Sequence, residues 1–420
     1  MNINLFLRCN TCEKLIHCRI GISYRNYQPM RFVCPTCKSP IDVDFSYKTS
    51  HEDTNLQVTG ATDQDDASIE DAEHFVDLHL DFPIYYGKYE MGMTPFLRAT
   101  EMTSFENIQL FTSRIAMIDQ RVEESSEIKN IIRLYTTENW GVYQKKMGEY
   151  FPKDQFPCEL PIDRNKCLYQ FLEIAFMAYN NPDENVEFVT KLSRNLFGIS
   201  KNKPEAFNNF LTEIISTNFL KELQKECVQI YPRILDAHLI LRQAIFLDYI
   251  DKTEINPLAL RVSNSAFEDY KDLYKDMSEI LSRQLILVAG ISNIIIRNSH
   301  NLFDTSKSGA PSTLEKFADF PYGKKMDFID EPTWYEICHD LVDNQLRNAI
   351  AHHKTDYDPV NQVLTYYPRL EGLQRSRPES ITFFQFSRKI LETFRLMHKL
   401  NHLIKILFVM HYFSSKQNVD

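Results

Sequence analysis

The chain is short of glycine, with 11 in 420 residues against 29 Phe and 21 Tyr. So few glycines exclude a collagen-like repeat, and with so many large side chains they favour helices with thick apolar faces over a turn-rich β-sandwich. No run of about 18 apolar residues is free of charge, so no membrane span is expected. The nearest stretch, Leu285 to Ile296, is closed by Arg297. The start, MNINLFLRCN, lacks the basic block of a secretory signal and reaches a cysteine too soon. There is no Gly-rich phosphate loop and no internal repeat. Apolar residues at 43% and charged residues at 25% exclude wholesale disorder and a disulfide mini-scaffold.

The charge is unevenly spread. Residues 1–48 carry a net +4, residues 49–90 a net −10 and the remainder a net −4. A weakly basic head therefore precedes an acidic stretch and a nearly neutral body. The whole chain is not a polycation that coats nucleic acid, so any such contact must be local.

The head holds the strongest spacing. Cys9 and Cys12 form one CxxC and Cys34 and Cys37 a second. Each CxxC turn can aim two thiolates at one tetrahedral ion, and the 21 intervening residues can form the hairpin that unites them. The expected cofactor is one structural Zn2+ per chain, closed by four thiolates and without an open position for chemistry. Such an ion implies a reducing, cytoplasmic setting. Cys18 and His17 are spare, and Cys158, Cys167, Cys227 and Cys338 read as unpaired core thiols. Zinc ribbons resemble nucleic-acid or protein-docking modules. Arg19, Arg25 and Arg31 interleave here with Tyr24, Tyr27 and Phe32, a mixture that can grip phosphate and stack a base or merely solubilise a small ribbon.

Residues 49–74, acidic and without Lys or Arg, read as a solvated linker. From about residue 95 the apolar spacing predicts helices near 106–124, 128–150, 166–179, 186–197, 204–247, 264–298, 332–352 and 381–412. Pro204 and Pro332 stand where a first-turn proline belongs. Phe383, Phe386, Ile390, Phe394, Met397, Ile404, Leu407 and Phe408 make one broad apolar stripe. His398, His402 and His411 are placed between core and surface, without a ligand role. The segment TDYDPVNQVLTYY predicts a short hairpin turning at Asp358-Pro359.

One segment stands apart: Leu346-Arg-Asn-Ala-Ile-Ala-His-His353, at the end of the predicted 332–352 helix. Asn344, Asn348 and His352 are spaced by four and share a helical face. Amides and an imidazole on an apolar helix are costly to bury without partners. Arg347 lies roughly 140° around the helix from His352, so one straight helix cannot set them side by side. A symmetric dimer could bring two such helix ends to one cleft. The same Arg-to-His spacing also occurs at Arg233 and His238, without the Asn. Arg347 could equally form an ordinary ion pair with Asp343, and His352 or His353 could serve as a helix cap.

Arg347, Asn348 and His352, with a long helix before them and another after, resemble the signature of HEPN domains. The resemblance covers residues 264–414 and implies an all-α bundle acting as a homodimeric, metal-independent endoribonuclease on RNA, of the kind found among toxins and antiviral effectors. It implies Arg347 on the scissile phosphate, His352 as the proton-transfer group and Asn348 orienting the His or the phosphate, with His353 able to stand in for His352. The expected fold is mainly α: a multi-helix body with a C-terminal HEPN-like bundle and a small β zinc ribbon. The expected segments are 1–48 ribbon, 49–74 linker, 75–263 helical middle and 264–420 HEPN-like domain. The ribbon and middle would sense or recruit a protein or nucleic-acid trigger. The alternative is a non-catalytic zinc-ribbon scaffold that binds nucleic acid or protein.

Overall fold

The computed structural model describes residues 2–47, 54–85, 87–152, 154–250, 260–264, 267–339, 343–368 and 377–417. The chain forms two compact units, each built from three separate stretches. One comprises Met1–Gln120, Asp236–Asp272 and Asn348–Leu391; the other comprises Arg121–Leu235, Leu273–Arg347 and Glu392–Asp420.

The first unit corrects the expected mainly helical fold with a small ribbon. Up to residue 79 the described residues form seven strands: β1 Asn2–Cys9, β2 Leu15–Gly21, β3 Tyr27–Val33, β4 Pro40–Tyr47, β5 Thr54–Thr59, β6 Ala61–Asp63 and β7 His74–His79. They form a four-stranded sheet, β6-β1-β2-β7, and a three-stranded sheet, β3-β4-β5. Period-two burial explains the strands. In β4, Ile41, Val43 and Phe45 are buried while Asp42 and Asp44 are only partly covered. Leu7, Ile16, Ile20, Met30, Phe32, Ile41, Val43 and Phe45 share one core.

Residues 54–63, expected within an acidic linker, are strands of this core. Leu56 and Val58 pair in register with Phe45 and Val43 of β4. Of these ten residues only Asp63 is acidic; the charge of 49–74 lies mostly outside the strands, while Leu56 and Val58 pack on the core, so net charge misled. Gly60 permits the step from β5 to β6. Its φ is +86°, and a Cβ would sit 2.3 Å from the Pro40 carbonyl oxygen.

Three shorter strand pairings are the remaining ones among the described residues of this unit. β8 Ile84–Tyr85 pairs with β9 Leu260–Arg261, and β10 Thr355–Asp358, β11 Val363–Tyr366 and β12 Glu379–Thr382 form an antiparallel sheet. The hairpin predicted around Asp358-Pro359 is present, pairing Thr355 with Tyr366 and Asp358 with Val363. Inside the same unit Arg242 is fully buried, with its Nε 2.7 Å from Asp81 Oδ1 and its other face on Asp119.

The second unit is helical. Ser125–Thr136, Trp140–Tyr150, Pro161–Phe176, Pro182–Asn202, Pro204–Ser216 and Phe219–Asp236 supply most of it, with the greater parts of Phe267–Arg297 and Phe383–Gln417. The run predicted as one helix over 204–247 is three helices, the last being His238–Phe246. Gly290 lets two helices approach closely, since a Cβ there would meet the Phe210 ring at 2.6 Å. Phe267–Arg297 is long and apolar enough to cross a membrane, but 78% of its apolar window is buried inside the protein. Cys158 and Cys167, read as unpaired, are joined by a disulfide.

Candidate functional site

Each CxxC sits at the turn of a strand hairpin, the first between β1 and β2 and the second between β3 and β4. The two turns are built alike. In the first, Glu13 N–H donates to the Cys9 carbonyl and Cys9 N–H to the Lys14 carbonyl; in the second, Lys38 donates to Cys34 and Cys34 to Ser39, all at 2.9–3.0 Å. The residue after each second cysteine is left-handed, Glu13 at φ 62° and Lys38 at φ 63°. That position favours glycine, and here its strain is borne by ordinary side chains. Both turns therefore hold an unfavourable backbone that points sulfurs inward.

The sulfurs converge. Cys9 and Cys37 are 3.6 Å apart, as are Cys12 and Cys34, and all four lie within 4.8 Å of one another. The spread suits a tetrahedral ion with metal–sulfur bonds of about 2.3 Å. Backbone N–H groups of Lys14, of Thr36 and Cys37, and of Ser39 face the sulfurs of Cys12, Cys34 and Cys37 respectively, which favours thiolates. The Ser39 hydroxyl and N–H pull the Cys37 thiol down to about 6, while burial pushes Cys34 up to about 12. The residues present fit a metal ion closed by four sulfurs.

The aromatic and basic residues between the knuckles do not form one surface. Arg19 is buried against Asp77, with contacts of 3.0 and 2.6 Å, and it also donates to the carbonyls of Glu90 and Met93. Phe32 is buried in the core and Arg31 is paired with Asp42. Tyr24 and Tyr27 are exposed. His17 and Cys18 are buried away from any ligand role, His17 stacked on Phe6.

The late-helix motif is placed on a shorter helix than expected. The 332–352 run is divided into Pro332–His339 and Asn344–Ala351, and residues 340–342 lie outside the described ones. Arg347 and Asn348 are half-buried inside the second helix; His352 and His353 follow it and are exposed. The end is a Schellman closure. His353 N–H donates to Ile350 and Lys354 N–H to Ala349, with His353 left-handed at φ 54°. A glycine normally fills that position, so His353 is the strained residue and His352 the relaxed one a turn beyond Asn348. His352 N–H donates to the Asn348 carbonyl at 3.0 Å, which keeps the two on one face.

Arg347 forms an ion pair with Glu279. Burial draws its guanidinium below the ordinary value. Glu279 lines an open groove with Glu226, Gln229, Arg233, Asp276 and Arg283. Arg233 is paired there with Asp276 and Arg283 with Glu226. His238, the other half of the second Arg-to-His match, is buried beside Arg25.

One cluster escaped the sequence reading. His398 and His402, placed at a core boundary, are buried and both face Glu173. The signal was there as two histidines four residues apart on one helix. The carboxylate that completes the group is more than 200 residues away.

Comparisons of this chain with family models, with curated proteins and with solved structures find no match.

Proposed function

We propose that the chain is an endoribonuclease of HEPN type in which Arg347, Asn348 and His352 act on RNA, with two subunits sharing one cleft. The observation that carries the reading is the end of helix Asn344–Ala351. His352 closes that helix in solvent, one turn past Asn348, and Arg347 stands half-buried beside a carboxylate. Imidazole is the side chain suited to taking and giving protons near neutral pH. His352 takes the proton of a 2′-hydroxyl, whose oxygen attacks the adjacent phosphorus. The bond to the 5′-oxygen breaks, and the matching imidazole of the second subunit protonates that oxygen. Arg347 holds the phosphate oxygens as charge builds on them. The nucleophile belongs to the RNA, so the products are a 2′,3′-cyclic phosphate and a 5′-hydroxyl.

A second subunit enters the reading because five residues separate Arg347 from His352, a spacing that at helical pitch sets them roughly 140° apart. The four thiols hold zinc in this reading. Its role is to tie the two hairpins together, since four sulfurs leave no coordination position for substrate. A recruiting role for the ribbon rests on Tyr24 and Tyr27, the exposed aromatics between its knuckles.

The test incubates the purified chain, Arg347→Ala and His352→Ala with total RNA in EDTA and maps the ends. Cyclic-phosphate ends from the wild type alone support the enzyme. Equal cleavage by all three, or none by the wild type, refutes it in favour of the binding scaffold.

A further inference from the structure

Glu173 lies near the end of helix Pro161–Phe176, and His398 and His402 lie on one face of helix Phe383–Gln417. Nε2 of His398 is 2.7 Å from Glu173 Oε1, and Nε2 of His402 is 2.5 Å from the same oxygen. Both rings are buried, while 31% of the Glu173 side chain is exposed. The cluster therefore has a dry floor and one open side.

The hydrogen bonds behind the rings decide what this cluster can hold. His398 Nδ1 faces the Tyr231 hydroxyl at 2.7 Å. Asn401 donates to that hydroxyl at 3.1 Å and accepts from Tyr169 at 2.9 Å. Gln224 donates to the Tyr169 hydroxyl at 3.2 Å and accepts from Tyr135 at 3.0 Å. With the donors in this sense, Tyr231 donates to His398, and the His398 proton sits on Nε2 against Glu173.

The whole chain has a second sense. If the Asn401 and Gln224 amides turn over and the three phenols reverse, every one of those bonds persists. Amide orientation and hydroxyl rotation are the two freedoms such a chain has. The Tyr135 proton then needs an acceptor. Asn165 donates its amide to Tyr135 and its buried Oδ1 has no partner, so turning that amide over as well supplies the acceptor. In this sense His398 donates from Nδ1 to Tyr231 and turns an Nε2 lone pair toward Glu173. His402 Nδ1 is buried without a partner, so its proton can sit there, and the Nε2 hydrogen bond to Glu173 is then exchanged for a bond from the Nε2 lone pair to an ion. Both imidazoles can thus offer Nε2 lone pairs beside one carboxylate, and a hydrogen-bonded shell already orients one of them, as metal-binding histidines require.

We propose that Glu173, His398 and His402 form a second metal site, distinct from the four thiols, that takes a divalent transition ion of the zinc class. Two imidazoles and a carboxylate with a solvent-facing position match that ion's preferences and leave room for water. Bonds of about 2.0–2.2 Å in tetrahedral geometry need donor separations of about 3.3–3.5 Å. Glu173, at the open side, is the group that yields to reach them. Lys405, partly buried one turn beyond His402, opposes the ion's charge; desolvation holds its ammonium below the ordinary value.

The test titrates Co2+ into the metal-stripped full chain. Cobalt on thiolates absorbs intensely through sulfur-to-metal charge transfer, whereas cobalt on nitrogen and oxygen gives only weak bands. The wild type should bind two ions. His398→Gln/His402→Gln should lose the weak-band ion and keep the thiolate spectrum, which also reports that the chain is folded. Cys9→Ser/Cys34→Ser should do the reverse. Saturation of the wild type at the thiolate ion alone overturns the proposal, and so does survival of the second ion in both the double His variant and Glu173→Gln. No RNA enters the measurement, so its outcome is separate from that of the ribonuclease reading.

Discussion

If Arg347 holds the scissile phosphate, Glu279 is its competitor. The guanidinium cannot pair fully with both, so RNA must displace the carboxylate before Arg347 can serve. The ion pair is partly wet, with side-chain exposures of 19% for Arg347 and 49% for Glu279. A pair in that setting is worth about 0.2–1 kcal/mol after screening. Glu279→Gln removes the competing charge and keeps the shape. If all of that energy is returned to the phosphate, RNA affinity rises about 1.4- to 5-fold. Removing any negative charge near RNA also helps, so the single variant decides nothing. The assay is a double-mutant cycle read by fluorescence anisotropy of a labelled RNA, in a His352→Ala background that prevents cleavage. Glu279→Gln should tighten binding when Arg347 is present and much less when Arg347 is Ala. An equal gain in both backgrounds would show only a general charge effect, and a loss of affinity would mean that Glu279 positions Arg347 instead of masking it.

Arg242→Met should destabilise the first unit by about 3–5 kcal/mol, because it strips the partner from a buried carboxylate. Burial is the largest influence on Asp81 and raises it, but the charges of Arg242 and His79 and the hydrogen bonds from Ser23 and Arg242 together outweigh it and hold the carboxyl below its ordinary range. In the wild type that contribution is complete above the usual carboxylate range and is lost as pH falls through the lowered value. In the variant burial raises Asp81, so its stability deficit should shrink as pH is lowered from neutral. Denaturant melts at several pH values check both, and a pH-independent deficit refutes the assignment. His353→Gly places glycine at the left-handed closing position and should stabilise the chain by roughly 0.5–1 kcal/mol. It should leave RNA cleavage intact if His352 is the acting imidazole; a rise in melting temperature with loss of cleavage would transfer the role to His353.

Local features were legible because their causes are local. The two CxxC turns announce converging sulfurs through spacing alone. Pro204 and Pro332 start helices because their missing N–H is not needed there. The Asp358-Pro359 turn follows from a fixed proline φ and a short polar side chain, and Asp358 does accept from Val360 N–H. The stripe on 381–412 follows from one helix burying one face.

Tertiary structure decided the rest. Residues 54–63 look solvated by composition, yet they are strands because β4 and β1 offer them edges, and a partner strand hundreds of atoms away leaves no mark on local charge. Scarcity of glycine did not prevent a β-rich head, since Glu13 and Lys38 take the left-handed positions that its knuckles require. Arg19 reads as a phosphate ligand until Asp77, 58 residues on, is seen to consume it. His398 and His402 read as boundary residues until folding sets Glu173 between them. What a residue faces across space depends on how distant segments meet, and one-dimensional order records only the potential for those meetings.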